Sequence, residues 1–448
     1  MLRALMDDAV PPAAPLPIKA PDHTEAFRKR RVANWLVLGL TYATMYMGRY
    51  NFGLVNKSLS DIYGFDTKQI GAIISTASLI YGLSAIFNGP IADRIGGRKA
   101  MLIGVAGGAF FNLAFGLGAY IGALDSKTLL IGYFATMWSL NMYFQSYSAL
   151  SLIKVNASWF HITERGRFSA IFGSMIQSGR AGILSLGGLL VALGPWQWVF
   201  FAPAVIMAIM GVVTYFVVQD SPEKAGQPAF DPQDASSGYT GKVDFAYIAK
   251  LVFTNPVTLT IAAAEFCTGV VRKGFEEWFP RYMQEHLHVK TDSGVFQKGA
   301  WSVVLAGIAG AFVAGYASDI FFKNRRPPVA LIGYVLQVFA LVAISLAPST
   351  GLIIAAFVVN SFAVSMVHSM LSGTASMDFG GKRAAATAAG MFDGMQYVGG
   401  TLAGYPLGWL IGKYGWGAWG PSLAVFSLIG LVLMATLWNA RPSGSGGH

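Results

Sequence analysis

Charge is scarce in this chain. Of its 448 residues, 12% are Asp, Glu, Lys or Arg, whereas about 25% is usual for a soluble domain. With 54% hydrophobic residues and a mean hydropathy of +0.51, that deficit excludes a soluble globular protein and points to a polytopic membrane protein. Cysteine is nearly missing. Cys267 stands alone, which excludes an internal disulfide and any cysteine-based metal site. The six histidines are scattered without ligand spacing. No Gly-x-x-x-x-Gly-Lys-Ser/Thr phosphate loop occurs, and no nucleophile elbow or paired-acid motif sits on a soluble domain. Neither an enzyme nor a cofactor is expected. Residues 1–32 are polar, Pro-rich and basic at Arg28-Lys-Arg-Arg31. They lack the apolar core of a signal peptide and read as a cytoplasmic surface segment.

What the chain has in plenty is apolar runs of membrane-spanning length. They fall near 33–55, 71–92, 100–122, 128–156, 167–194, 197–218, 256–281, 297–321, 329–347, 351–377, 385–411 and 418–440. This predicts an all-α membrane protein with twelve transmembrane helices. A polar stretch at 219–250, with Pro228, Pro232 and Ser236-Ser-Gly, divides them into bundles at 33–218 and 251–440. The Gly/Ser-rich end, 441–448, reads as a flexible tail. Lys and Arg collect in the loops on the side of the N-terminus, at Arg94, Arg98, Lys99, Arg165, Lys323 and Arg325 among others. The positive-inside rule then makes both termini cytoplasmic. The net charge of +10 is therefore topology, and no nucleic acid is expected as a partner.

The halves repeat. Gly89-Pro-Ile-Ala-Asp93-Arg94-Ile-Gly-Gly-Arg98-Lys99 follows the second run, and Gly315-Tyr-Ala-Ser-Asp319 with Lys323, Arg325 and Arg326 follows the eighth. Each motif offers close helix approach at glycine and an aspartate-to-base contact latching neighbouring helices on the cytoplasmic side. Each half also carries one arginine within an apolar helix: Arg49, 44 residues before Asp93, and Arg272, 47 before Asp319. A guanidinium keeps its proton and costs about 2.5–3.5 kcal/mol at the centre of a membrane helix even on the insertion scale. The two are expected to form one anion site between the repeats, each offering a planar fork to anionic oxygens. The alternative is an arginine paired structurally with a buried carboxylate. The first half offers Arg49 no obvious intramembrane acid.

Twelve spans, a central linker and the paired glycine–aspartate loops resemble the major facilitator superfamily. Within it the chain is similar to the organophosphate:phosphate antiporter family, over nearly everything after residue 35. The resemblance rests on Arg49-x-Asn-Phe, Tyr81-Gly-Leu-Ser, Phe144-Gln145, Trp159-Phe160, Glu164-Arg165-Gly166, Arg272-x-Gly-x-x-Glu-Trp278-x-Pro280 and Lys382-Arg-Ala-Ala-Ala-Thr-Ala-Ala-Gly390. It implies that Arg49 and Arg272 bind phosphate. It also exposes departures: glycerol-3-phosphate carriers of the family have lysines where this chain has Tyr50 and Ala85, and a histidine where it has Gln177. Arg180, Lys273 and His368 are gains, so the basic groups are rearranged rather than deleted.

Beyond the two arginines, Gln177 and Arg180 share a face of the fifth helix. Arg180 is read either as a third substrate ligand or as the partner of Asp393 or Glu265. Lys273 lies beside Arg272, and His368 could hydrogen-bond a phosphate or a neighbouring helix. Asp393 must face a cavity or a cation, since an unpaired buried carboxylate is costly. Glu277 reads as a structural ion-pair partner, and Glu265 as the partner of Arg180 or Arg272. Either Glu265 or Asp393 could also carry a proton. Tyr46, Asn141, Gln145, Tyr147 and Tyr397 are candidate neutral donors. The resemblance implies exchange of a phosphorylated organic anion for inorganic phosphate by rocking of two bundles, in a monomer of the bacterial cytoplasmic membrane. Two other readings stay open: a membrane receptor for phosphorylated sugars, and a proton-coupled organic-anion symporter.

Overall fold

The computed structural model describes residues 23–120, 126–160, 165–229, 256–322, 325–374 and 390–439. The expectations placed on Gly89, Asp93, Arg94 and Asp319, on most of the linker, on Lys382–Ala389 and on the tail lie outside the described residues and side chains. Among the described residues all regular structure is helical.

The first half contains α1 (Glu25–Tyr50), α2 (Phe52–Tyr63), α3 (Thr67–Ile95), α4 (Gly97–Leu117), α5 (Lys127–Gln145), α6 (Tyr147–Trp159), α7 (Arg165–Leu193) and α8 (Trp198–Val217). The second contains α9 (Pro256–Glu285), α10 (Gly294–Ile320), α11 (Arg326–Leu346), α12 (Thr350–His368), helical residues 390–400, α13 (Tyr405–Tyr414) and α14 (Trp419–Thr436). Their starts follow from local chemistry. Thr24, Ser293 and Ser349 cap α1, α10 and α12 by accepting from the third backbone N–H onward, and Asp66 with Gln69 forms a full capping box on α3.

Three of the expected spans are interrupted. The run at 33–55 breaks at Asn51, where the turn tightens: Leu54 N–H donates to Asn51 O at 3.1 Å. The Asn51 amide meanwhile leaves the helix to bond Asn112 at 2.8 Å and Val199 O at 3.1 Å. The run at 128–156 breaks at Ser146, whose N–H is shared between the Met142 and Tyr143 carbonyls. The run at 385–411 is interrupted by turns at 401–404. In addition α12 passes directly into a π turn at Ser369–Thr374.

The burial pattern is that of a protein dissolved in lipid. Phe110, Phe339 and Val432 are more than half exposed, while Asn112, Asn141, Gln145 and Gln337 are fully buried. Without water in the surrounding hydrocarbon, polar groups must find partners inside. Among the described residues, seven helical segments are by themselves long and apolar enough to cross a membrane. The helix α9 carries Glu265, Arg272, Lys273, Glu276 and Glu277 instead, and these charges face inward. All five are buried.

The halves mirror one another where their helices cross. A methyl group at Gly179 would overlap the backbone of Ala43, and one at Gly399 would overlap that of Phe266. Ala43 and Phe266 each stand six residues before a membrane arginine, Arg49 and Arg272. Glycine at these crossings brings backbones into contact and so fixes the depth of both arginines. Toward the end remote from the chain termini, the halves are joined directly. Asn56 donates to Glu277 O at 3.0 Å, Arg281 to Ser60 at 2.9 Å, and Thr291 to Gly188 O at 3.3 Å. Gly71 and Gly404, and Thr67 and Gly408, meet backbone to backbone.

Candidate functional site

At mid-depth, α1 ends in a ladder of rings. Tyr42, Tyr46 and Tyr50 follow each other along one helix face, with centroids 5.2 and 5.4 Å apart. Arg49 lies among aromatic rings, its guanidinium carbon 4.7 Å from the Tyr46 ring and 4.9 Å from that of Tyr81. Its N–H groups donate to Gln145 O at 3.1 Å, Gln145 Oε1 at 3.3 Å, Ser148 Oγ at 3.0 Å and Tyr81 OH at 3.4 Å. The Nε is buried without a partner, and among the described residues no carboxylate pairs with Arg49. Tyr81 in turn stacks on Tyr397 of the other half, 3.8 Å between centroids.

Arg272 is held differently. Its Nε donates to Glu276 Oε1 at 3.1 Å, one turn on along α9. One Nη reaches Gln396 Oε1 at 2.7 Å and His368 Nε2 at 3.4 Å, and the other reaches Tyr50 OH at 3.3 Å. The same Glu276 oxygen forms an ion pair with Arg180 Nη1 of the first half at 3.2 Å. Lys273 Nζ lies 3.7 Å from the second Glu276 oxygen, 3.6 Å from Glu277 and 4.9 Å from the rings of both Tyr50 and Tyr397. A cavity of about 30 Å³ opens at this point, lined by Gln177, Arg180, Arg272, Glu276, Ser361 and His368 among others. Arg49 is not part of its lining.

The structure thus brings Arg272, Arg180, Gln177 and His368 to one cavity, with Lys273 behind it. Arg49 and Tyr46 stand beside it, connected through Tyr50. Two expected pairings are corrected. Arg180 pairs with Glu276 and not with Asp393 or Glu265, because the α7–α9 contact spans the halves at the height of Glu276. Glu265 is held by a neutral amide: Gln396 Nε2 donates to its Oε2 at 2.8 Å, and no cation lies within ion-pair distance among the described residues. Glu277 does take a lysine partner, as its place in the sequence suggested. Asp393 is half-buried and makes no ion pair among the described residues. Gln145 and Asn141 are committed inside the protein, Gln145 to Met45 O and Arg49, Asn141 to Gly48 O and Asn112. Tyr147 packs elsewhere, with Ala92 and Ala100. Arg98 engages Asp220 and Gln219 at the end of the first half.

Three site residues escaped the sequence reading. Tyr50 was visible only as a missing lysine. Gln396 joins Arg272, Glu265 and His368 (its Nε2 lies 2.8 Å from His368 Nδ1), yet its neutrality hid it behind Asp393. Glu276 was visible as an acid near Arg272 but was given no role beside Glu277. Its spacing of four from Arg272 was the available signal.

Comparisons with known proteins agree with this architecture. The family model described as Major Facilitator Superfamily matches residues 38–404. A probable hexose phosphate transport protein of Chlamydia pneumoniae is 27% identical over 95% of this chain and 96% of its own length. The membrane sensor protein UhpC of Escherichia coli is 25% identical over 91% and 92%. Among solved structures, a bacterial homologue of the human lysosomal transporter Spinster, inward-facing and unoccupied, superposes with a TM-score of 0.73. It covers 94% of this chain and 100% of that one at 14% identity, a likeness of fold. The chain belongs to the major facilitator superfamily, a family of membrane transporters and not of enzymes.

Proposed function

We propose that the protein carries phosphorylated organic anions across a membrane in exchange for inorganic phosphate. The observation that carries this reading is the convergence of Arg180 from one half and Arg272 from the other on a single buried cavity, with Arg49, which among the described residues has no carboxylate partner, beside it. Guanidinium forks match phosphate oxygens in geometry and charge. A site shared between repeats at mid-membrane depth is where alternating access can present it to either side. The names borne by relatives, such as hexose phosphate transport protein, support the substrate class. The contacts joining the halves at the end remote from the termini support a rocking of bundles 33–218 and 251–440, with access from the side of the termini. Multiple apolar spans and the basic loops of that side support a bacterial cytoplasmic membrane with both termini inside, and a monomer suffices for the site.

In this reading Arg49 and Arg272 hold the phosphate, with Arg180, Gln177, Lys273, Tyr46 and His368 around it. Gln145 holds Arg49 in place, and Asp393 tunes which organic group fits. The test is counterflow of labelled phosphate in proteoliposomes, challenged by hexose phosphates, glycerol-3-phosphate and phosphoglycerates. Arg49→Lys or Arg272→Lys should abolish most of it by turning a fork into a point donor. Normal counterflow in Arg272→Lys refutes the assignment. A relative named as a sensor favours a second reading, a receptor for phosphorylated sugars. Such a protein would bind these compounds and exchange little.

A further inference from the structure

We propose, building on the anion-carrier reading, that Glu276 is the carrier's own resident anion: its carboxylate holds the Arg180–Arg272 pair until a substrate phosphate displaces it. One oxygen is shared by two guanidiniums from opposite halves, at 3.2 and 3.1 Å. The other accepts no hydrogen bond and has Lys273 at 3.7 Å. A buried ion built purely for stability would have its lone pairs satisfied. This one is half satisfied and lines the cavity.

Glu276 lines the cavity at the point where Arg180 and Arg272 meet, and its Oε1 is the atom that both guanidiniums face. An anion that binds both arginines therefore competes with the carboxylate for its place. Carboxylate and phosphate oxygens accept the same charge-assisted hydrogen bonds, so the exchange leaves both guanidiniums facing an anion at every stage. Arg49, which has no acid to displace among the described residues, adds its attraction to the incoming group alone. Two consequences follow. A dianion displaces the monovalent carboxylate more readily than a monoanion does, so the site selects phosphate monoesters and hydrogen phosphate over simple carboxylates. And with Glu276 seated, the two guanidiniums keep a shared anionic partner, and only part of their charge is left uncompensated, while the carrier reorients without substrate, so exchange is favoured without being obligatory.

The experiment uses the full chain in lipid. Binding of inorganic phosphate is titrated by the rise in melting temperature, with acetate as the monovalent control. Labelled phosphate uptake is compared in vesicles with and without internal phosphate. Glu276→Gln should tighten phosphate binding about tenfold, the scale of one charged hydrogen bond, and should suppress uptake into phosphate-free vesicles relative to loaded ones. Arg180→Gln should weaken binding by a similar factor. A structural ion pair would move both variants the same way, so opposite signs support the proposal. Unchanged or weaker binding in Glu276→Gln overturns it. If that variant does not fold, Glu276→Asp, too short to span both guanidiniums, should bind phosphate more tightly than the parent by less than tenfold, and no gain is equally fatal. Failure of the unaltered protein to bind or exchange phosphate would remove the carrier reading itself, and this proposal with it.

Discussion

In the first half the membrane arginine rests among neutral partners, the Gln145 and Ser148 oxygens and the faces of two tyrosines. In the second half its counterpart is held by a carboxylate one helical turn away. The backbones around them match, since a glycine crossing lies six residues before each. The helices differ: α1 breaks just past Tyr50, whereas α9 runs unbroken through Arg272 and Pro280 to Glu285. Duplication of a scaffold therefore preserved where the cations sit and not how they are balanced. The imbalance gives one half a free attraction and the other a displaceable one.

That contrast breaks most sharply in the arginines. Arg49→Gln and Arg272→Gln should both lose nearly all phosphate counterflow. Their melting temperatures should part company. Removing Arg272 leaves Glu276 short of a partner, and breaking a buried pair costs about 3 kcal/mol or more. Removing Arg49 frees only neutral acceptors, about 1 kcal/mol. Equal destabilisation would erase the distinction drawn between the halves. The matched crossings offer a second comparison. Gly399→Ala and Gly179→Ala each push a methyl into facing backbone, of Phe266 and Ala43. Both should lower stability by about 2–3 kcal/mol, read from thermal unfolding in detergent. A large difference between them would mean the crossings are not equivalent. The smallest effect belongs to Tyr81→Phe. It removes a 3.4 Å hydrogen bond from Arg49 and keeps the stack on Tyr397, so stability should fall by about 0.5–1 kcal/mol, with counterflow within about threefold of the parent.

Much of this was readable before any coordinates. Arg49 and Arg272 announce themselves because a permanent charge inside an apolar run must have a purpose, and the repeat spacing ties them together. The interruption at Asn51 was not readable, because its flanking glycines, Gly48 and Gly53, look like the many others within the apolar runs. It arises from an amide that bonds Asn112, 61 residues away. The role of Glu276 was hidden for a related reason. Along the chain it is an ordinary i, i+4 neighbour of Arg272, and its second contact, Arg180, comes from the other half. Gln396 shows the same limit. A neutral side chain carries no signal by charge, yet it touches three charged or titratable groups at once.

The join at the end remote from the termini is made without any ion pair between the halves in the contacts described above. Its parts are amides and hydroxyls meeting carbonyls, the Arg281 guanidinium meeting the Ser60 hydroxyl while paired with Glu285 of its own helix, and glycine backbones meeting one another. When such a rim parts, each lost bond can be remade with water at a difference of about 0.5–1.5 kcal/mol, and no naked charge is stranded. In the proposed rocking of the bundles, that rim carries no vote of its own and follows what the ions at the centre dictate.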